Sequence, residues 1–179
     1  MDTKFSELIE ARRSVRKYAK AEITKDEMAK IVEEALNAPS WKNTETTRYY
    51  AAVGDDVKAK IWSDALPRFN SASSANAAAL VAVTFVPGQS GYMGDTPANE
   101  LGEMWGAYDC GLASSYFILA AQSHGWDTLI MGIRDTAKVK SLLGIPEKEV
   151  LMSVIAVGKS AQKYFKNPRK PVTEVLKVK

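Results

Sequence analysis

Residues 101–123 place the tightest constraint on the fold. Met104, Trp105, Tyr108, Leu112, Tyr116, Phe117, Ile118 and Leu119 fall around much of a helix circumference. A surface helix keeps one polar face, whereas a helix apolar on nearly all sides must be covered on nearly all sides. A chain of 179 residues has few elements to provide that cover. The spacing therefore predicts a long buried helix, part of whose cover comes from a partner subunit. His124 and Gly125 end it, with Gly125 suited to the left-handed position after the last turn.

The rest of the chain is read around that helix. A first helix is expected over about 3–13, with Phe5, Leu8 and Ile9 on its apolar face. A second is marked by a capping box at Thr24 and Glu27, which satisfies free N–H groups at its start. Met28, Ile31, Val32, Ala35 and Leu36 then form its inner face, and Asn37 and Pro39 stop it. Residues 38–47 read as a polar loop and 48–53 as a strand. A short helix follows at 55–62, then a small polar stretch at 63–77, helix or loop. A buried strand is expected at 79–86 and a Gly/Pro loop at 87–99. Beyond the long helix come a strand (126–133), a short helix (136–143) and an apolar strand (150–157). The basic tail, about 159–179, is expected to be an extended arm. Helices first, then strands alternating with helices, predict an α+β fold with a central mixed β-sheet flanked by helices. With no internal repeat and no linker, residues 1–179 are expected to form one domain.

Composition removes several function classes. The only cysteine is Cys110 and the only histidine His124, so neither an intrachain disulfide nor a His/Cys metal cluster is expected. No G-x-S-x-G elbow supports a serine hydrolase. No G-x-G-x-x-G follows a strand and no full G-x-x-x-x-G-K-[ST] occurs, so any phosphate must be held by side chains. A net charge of +3 suits an anionic ligand but is too small to indicate nucleic acid. Apolar runs fall short of bilayer length and the N-terminus lacks a leader pattern, so a cytoplasmic protein without membrane partners is the expectation.

Four segments could carry chemistry. Arg12-Arg13-Ser14-x-Arg16 offers guanidinium forks and a hydroxyl suited to a phosphate, or a helix end whose charges complement the C-terminal dipole. Pro39-Ser40-Trp41-Lys42-Asn43-Thr44-Glu45 places an aromatic plane among polar groups on a loop, or is an ordinary connection. Gly125 to Gly132 ends in a glycine that lets a flat ligand approach the backbone, or in a simple turn. Lys166 to Pro171 completes an anion site or is a solvated charge run.

In this order, and with the Leu-Gly-Ile-Pro stretch at 143–146, these segments resemble the nitroreductase family over nearly the whole chain. The resemblance implies an FMN flavoprotein, an intertwined homodimer with two interface sites, and a C-terminal arm that reaches over the partner. It implies an oxidoreductase that takes hydride from NADH or NADPH through flavin N5 in a ping-pong cycle. Small acceptors such as nitroaromatics or quinones are then reduced, with no side-chain nucleophile. By position, Arg12, Arg13, Ser14 and Arg16 match the first FMN segment. Arg12 and Ser14 fall to the phosphate or ribityl chain, and Arg16 to the ring pyrimidine, where it would stabilise the reduced flavin. Pro39, Ser40, Trp41, Asn43 and Glu45 match the loop given by the other subunit. Asn70 is chosen over Asn76 as the ring-contacting asparagine. Met131 and Gly132 match the backbone near N5, and Arg169 the tail arginine on the phosphate.

Three departures stand out. Glu45 occupies a position where the family often has Gln, and Thr46-Thr47 replace Pro-Trp. Asn167 stands where Lys is common. The loop at 87–100 matches the longer substrate lids poorly. Other chemistry on the same fold (reductive dehalogenation or flavin cleavage), a non-catalytic FMN-binding protein and a basic nucleic-acid module are the alternative readings.

Overall fold

The computed structural model describes residues 5–179. The expected first helix is seen as α1, Phe5–Ala11, and the part of that expectation over residues 3 and 4 lies outside the described residues. α2, Lys25–Ala35, begins with the expected capping box. Glu27 N–H donates to Thr24 Oγ1 at 3.1 Å, and Thr24 N–H donates to Glu27 Oε2 at 2.9 Å. Met28, Ile31 and Ala35 are buried, but Leu36 is not: it caps the helix and turns outward, a correction to the expected inner face.

The sheet follows the order β1-β7-β3-β2, with β6 also paired to β7. Its strands are β1 (Tyr18–Ala19), β2 (Thr47–Ala52), β3 (Ala79–Phe85), β6 (Asp127–Met131) and β7 (Val150–Ser160). All four of these ladders are antiparallel, and the parallel part of the sheet is confined to one bridge, Ser14 to Thr128. The Gly/Pro loop holds an unexpected hairpin, β4 (Tyr92–Met93) on β5 (Thr96–Pro97).

Every residue of β3 is buried because both sheet faces are covered. Alternate side chains point to opposite faces. Val81, Val83, Ile155 and Val157 meet α2 and α5, Met104–Ser123. Leu80, Ala82, Val154 and Ala156 meet α3 (Asp55–Lys60), its π-helical continuation Ile61–Ala65, and α6 (Thr136–Leu143). α4, Arg68–Ser74, carries Asn70. The tail is mostly extended, as expected, with one short turn of helix, α7 (Val172–Val175).

The long helix is half covered. Phe117, Cys110 and Ala121 are fully buried against the sheet, while Met104, Tyr108 and Tyr116 are 58%, 58% and 41% exposed. These three lie along one stripe, since residues four apart share a helix face. α1 buries none of its residues, leaving Phe5 and Ile9 open. The chain alone does not supply the cover that the composition of the long helix demands.

Candidate active site

The segment after α1 is laid against the sheet by backbone contacts. Val15 N–H donates to the Thr128 carbonyl at 3.0 Å, and Val15 is buried. Alternation then turns Ser14 and Arg16 away from that core. Arg13 folds back on the end of α1, with Nη1 donating to the carbonyls of Glu10 (2.5 Å) and Arg12 (2.8 Å). Its Nε is buried with no partner among the described residues. Arg12 is half-buried, and its guanidinium is held below the ordinary arginine value, first by desolvation, then by Arg169 and by Arg13. Arg169, from the far end of the chain, is thus one of the charges that act on Arg12. The tail is tied here by two further contacts. Arg16 N–H donates to the Tyr164 hydroxyl at 2.8 Å, and Lys166 Nζ lies 3.7 Å from Glu10 Oε1.

β6 leads from Thr128, beside Ser14, to Met131, which is buried, and on to Gly132, which is exposed with open space around its Cα. Asn70 reaches this turn, its Nδ2 donating to the Ile133 carbonyl at 2.7 Å. Asn76 lies elsewhere, in the turn before β3, lining a cavity of about 590 Å³ with Lys58 and Trp62. Of the two asparagines, Asn70 is the one beside Gly132.

The loop from Pro39 to Glu45 forms a separate group on α5. Trp41 N–H donates to Asp109 Oδ2 at 2.9 Å, and Glu45 N–H to Ser40 Oγ at 3.0 Å. Asn43 Nδ2 donates to Glu45 Oε1 at 2.8 Å. The Trp41 ring packs 4.9 Å from that of Trp105, which meets Tyr108 edge-on at 5.5 Å. Lys42, Asn43 and Glu45 all have positive φ, a conformation that non-glycine residues hold only when their surroundings enforce it. Glu45 thus turns to Asn43 within its own loop. Among the described residues, no hydrogen bond or ion pair joins this loop to the Arg12–Arg169 group or to Gly132.

Sequence reasoning passed over Asp109, Arg134 and Tyr164. Asp109 had a signal: it is the single acid within the apolar run of α5, and it is 3% exposed. Tyr164 had none, because its partner Arg16 is 148 residues away, and Arg134 had none because its bridge to Leu151 appears only in the fold.

A family model for the nitroreductase family matches residues 9–159. The chain belongs to the nitroreductase family. Within it, an Archaeoglobus fulgidus protein provisionally named NADH dehydrogenase/NAD(P)H nitroreductase is 31% identical, over 84% of this chain and 82% of its own. The provisionally named NAD(P)H nitroreductase YdgI of Bacillus subtilis is 27% identical over 98% and 97% of the two chains. A provisionally assigned nitroreductase of Exiguobacterium sibiricum, solved in complex with FMN, superposes with a TM-score of 0.87 at 25% identity. It covers 100% of this chain and 99% of the other. The nitroreductase fold therefore extends past the matched segment, through the tail that carries Arg169.

Proposed function

We propose that this nitroreductase-family chain is an FMN-dependent enzyme that takes electrons from NADH or NADPH and passes them to nitroaromatics, quinones or similar small acceptors. The observation that carries this reading is the tail's approach to the end of α1, through Tyr164 on Arg16 and Lys166 on Glu10, beside half-buried Arg12 and an Arg13 whose buried Nε has no acceptor among the described residues. Like charges brought together at partial burial repel one another, and a phosphate dianion relieves that repulsion while accepting paired hydrogen bonds. The residues present therefore fit the phosphate end of FMN. The open backbone at Gly132, with Asn70 beside it, fits a flat ring lying against the end of β6.

FMN, when bound, supplies the two-electron relay between nicotinamide and acceptor. The chain's own residues bind and orient it. Arg12, Arg169 and the Ser14 hydroxyl hold the phosphate and ribityl end. Arg16, exposed at the edge of the group, is assigned to the ring pyrimidine, where a fixed positive charge favours the anionic reduced ring. Asn70 and the backbone of Met131 and Gly132 flank the ring.

The loop Pro39–Glu45 completes the site from a second copy of the chain. The uncovered stripe of α5 and the uncovered apolar face of α1 support a homodimer. Residues 1–179 act as one FMN-binding unit, with an arm from about 159. The expected preparation is a yellow dimer that releases FMN, not FAD, on denaturation and oxidises NAD(P)H when given a nitroaromatic or quinone. A colourless monomer that ignores added FMN overturns the reading.

A further inference from the structure

Arg134 follows the turn at Gly132 and is absent from every motif discussed above. Its guanidinium bridges two elements. Nη1 donates to the Gly132 carbonyl at 2.6 Å, and Nη2 donates to the Leu151 carbonyl. The β6 ladder stops where Met131 faces Val154, so the Leu151 carbonyl lies beyond the last strand pair on that side of β7. Arg134 takes the place of the missing strand partner. Asn70 holds the next carbonyl, that of Ile133, from α4. Two consecutive carbonyls of the turn are therefore claimed by side chains from different directions.

Peptide planarity carries the consequence. In a trans peptide the C=O and the following N–H point in opposite directions, and no described peptide bond is cis. Fixing the Gly132 carbonyl toward Arg134 fixes the Ile133 N–H to the opposite side. Fixing the Ile133 carbonyl toward Asn70 does the same for the Arg134 N–H.

We infer that Arg134 is a positioning residue: it clamps the Gly132–Ile133 peptide so that an N–H, and not a carbonyl, is presented to the ring edge of the flavin. This rests on the FMN reading above. An oxidised flavin N5 accepts a hydrogen bond, whereas the reduced N5 carries a hydrogen of its own. A locked N–H therefore favours the oxidised state, and a peptide free to turn would offer its carbonyl to the reduced one. The clamp sets the potential downward. A guanidinium is needed because a single ammonium cannot reach two carbonyls in the same fork geometry.

The test compares wild type, Arg134→Ala and Arg134→Lys as FMN-loaded proteins, by FMN midpoint potential, and by NMR backbone order parameters for residues 132–134. The expected result is a raised potential in Arg134→Lys, which loses the fork but keeps the positive charge that favours the reduced ring. The shift should be about 30 mV, corresponding to a tenfold change in the ratio of reduced to oxidised affinity for a two-electron couple. Lowered order parameters at the turn should accompany it. Arg134→Ala loses the charge as well as the fork and should show a smaller rise with the same loss of order. If Arg134→Ala does not fold, the lysine variant decides. A potential and order parameters unchanged in a variant that binds FMN overturn the inference. If wild type takes up no FMN, the FMN reading fails, and loosening of the turn in the cofactor-free variants still reports the clamp.

Discussion

Arg12, Arg13 and Arg169 sit among like charges, whereas the loop from Pro39 to Glu45 is tied by hydrogen bonds to itself and to Asp109. The first region has an ordinary backbone and an unbalanced charge. The second is hydrogen-bonded through Trp41 N–H, Asn43 and Glu45, leaves the buried Trp41 Nε1 without a partner among the described residues, and holds three non-glycine residues in the left-handed region. If the first holds FMN as proposed, its affinity comes from electrostatic repulsion left unrelieved in the free chain. Shape is built into the second by enforcing a conformation that costs about 1 kcal/mol each at Lys42 and Glu45, and less at Asn43. The two should therefore fail differently when mutated, one in binding and the other in stability.

The largest effect is expected from the charged region. Arg12→Ala removes a charge-assisted contact of about 1.5–3 kcal/mol, which is roughly 10- to 150-fold in FMN affinity. Arg169→Ala should behave alike, and both should leave Tm unchanged or raise it, since repulsion is relieved. Fluorescence titration with FMN and thermal melts check this together. A variant that loses stability but keeps its affinity would erase the contrast.

Asp109→Ala should do the reverse. It leaves the Trp41 N–H without its acceptor, at a cost of about 2 kcal/mol, or roughly 4–8 °C in Tm for a chain of this size. The neighbouring thiol reports the same event. Burial pushes Cys110 up to about 11. Its folded value lies above its ordinary one, so its contribution to stability is whole at neutral pH and is lost as the pH rises toward 11. At pH 8 the wild-type thiol should resist alkylation, and Asp109→Ala should speed the reaction. An unaltered rate together with an unaltered melt would show that the loop does not depend on Asp109.

The smallest effect is expected at Arg16, which is exposed and charged but away from the desolvated cluster. Arg16→Ala should keep FMN bound and lower its midpoint potential by about 30 mV, a tenfold loss of preference for the reduced form. Potentiometric titration measures it. No change in potential would remove Arg16 from the ring and leave it a solvated charge.

What the sequence disclosed follows the range of the interactions involved. Thr24 and Glu27 are three residues apart and satisfy each other, so α2 was legible from spacing alone. β3 was legible because a run buried on both faces needs no alternation. β1 was not: two residues become a strand only because β7 extends to Ser160 to pair with them. The hairpin Tyr92–Pro97 was hidden within glycines that read as loop. Leu36 fitted the helical period but fell one residue past the helix end. In the candidate site, the Arg and Asn positions were legible as motif. The groups that pin the backbone around them were not: Asp109 meets Trp41 from 68 residues away, and Arg134 joins Gly132 to Leu151 only once the fold brings them together.

The placement of β7 has a consequence for how the molecule is made. It is the last strand in the chain, yet it pairs with β1, β3 and β6. During synthesis the β2–β3 pair must wait with the second edge of β3 unpaired until β7 has left the ribosome. Folding is thus set by the arrival of a late central strand, and the waiting intermediate is the form most exposed to aggregation.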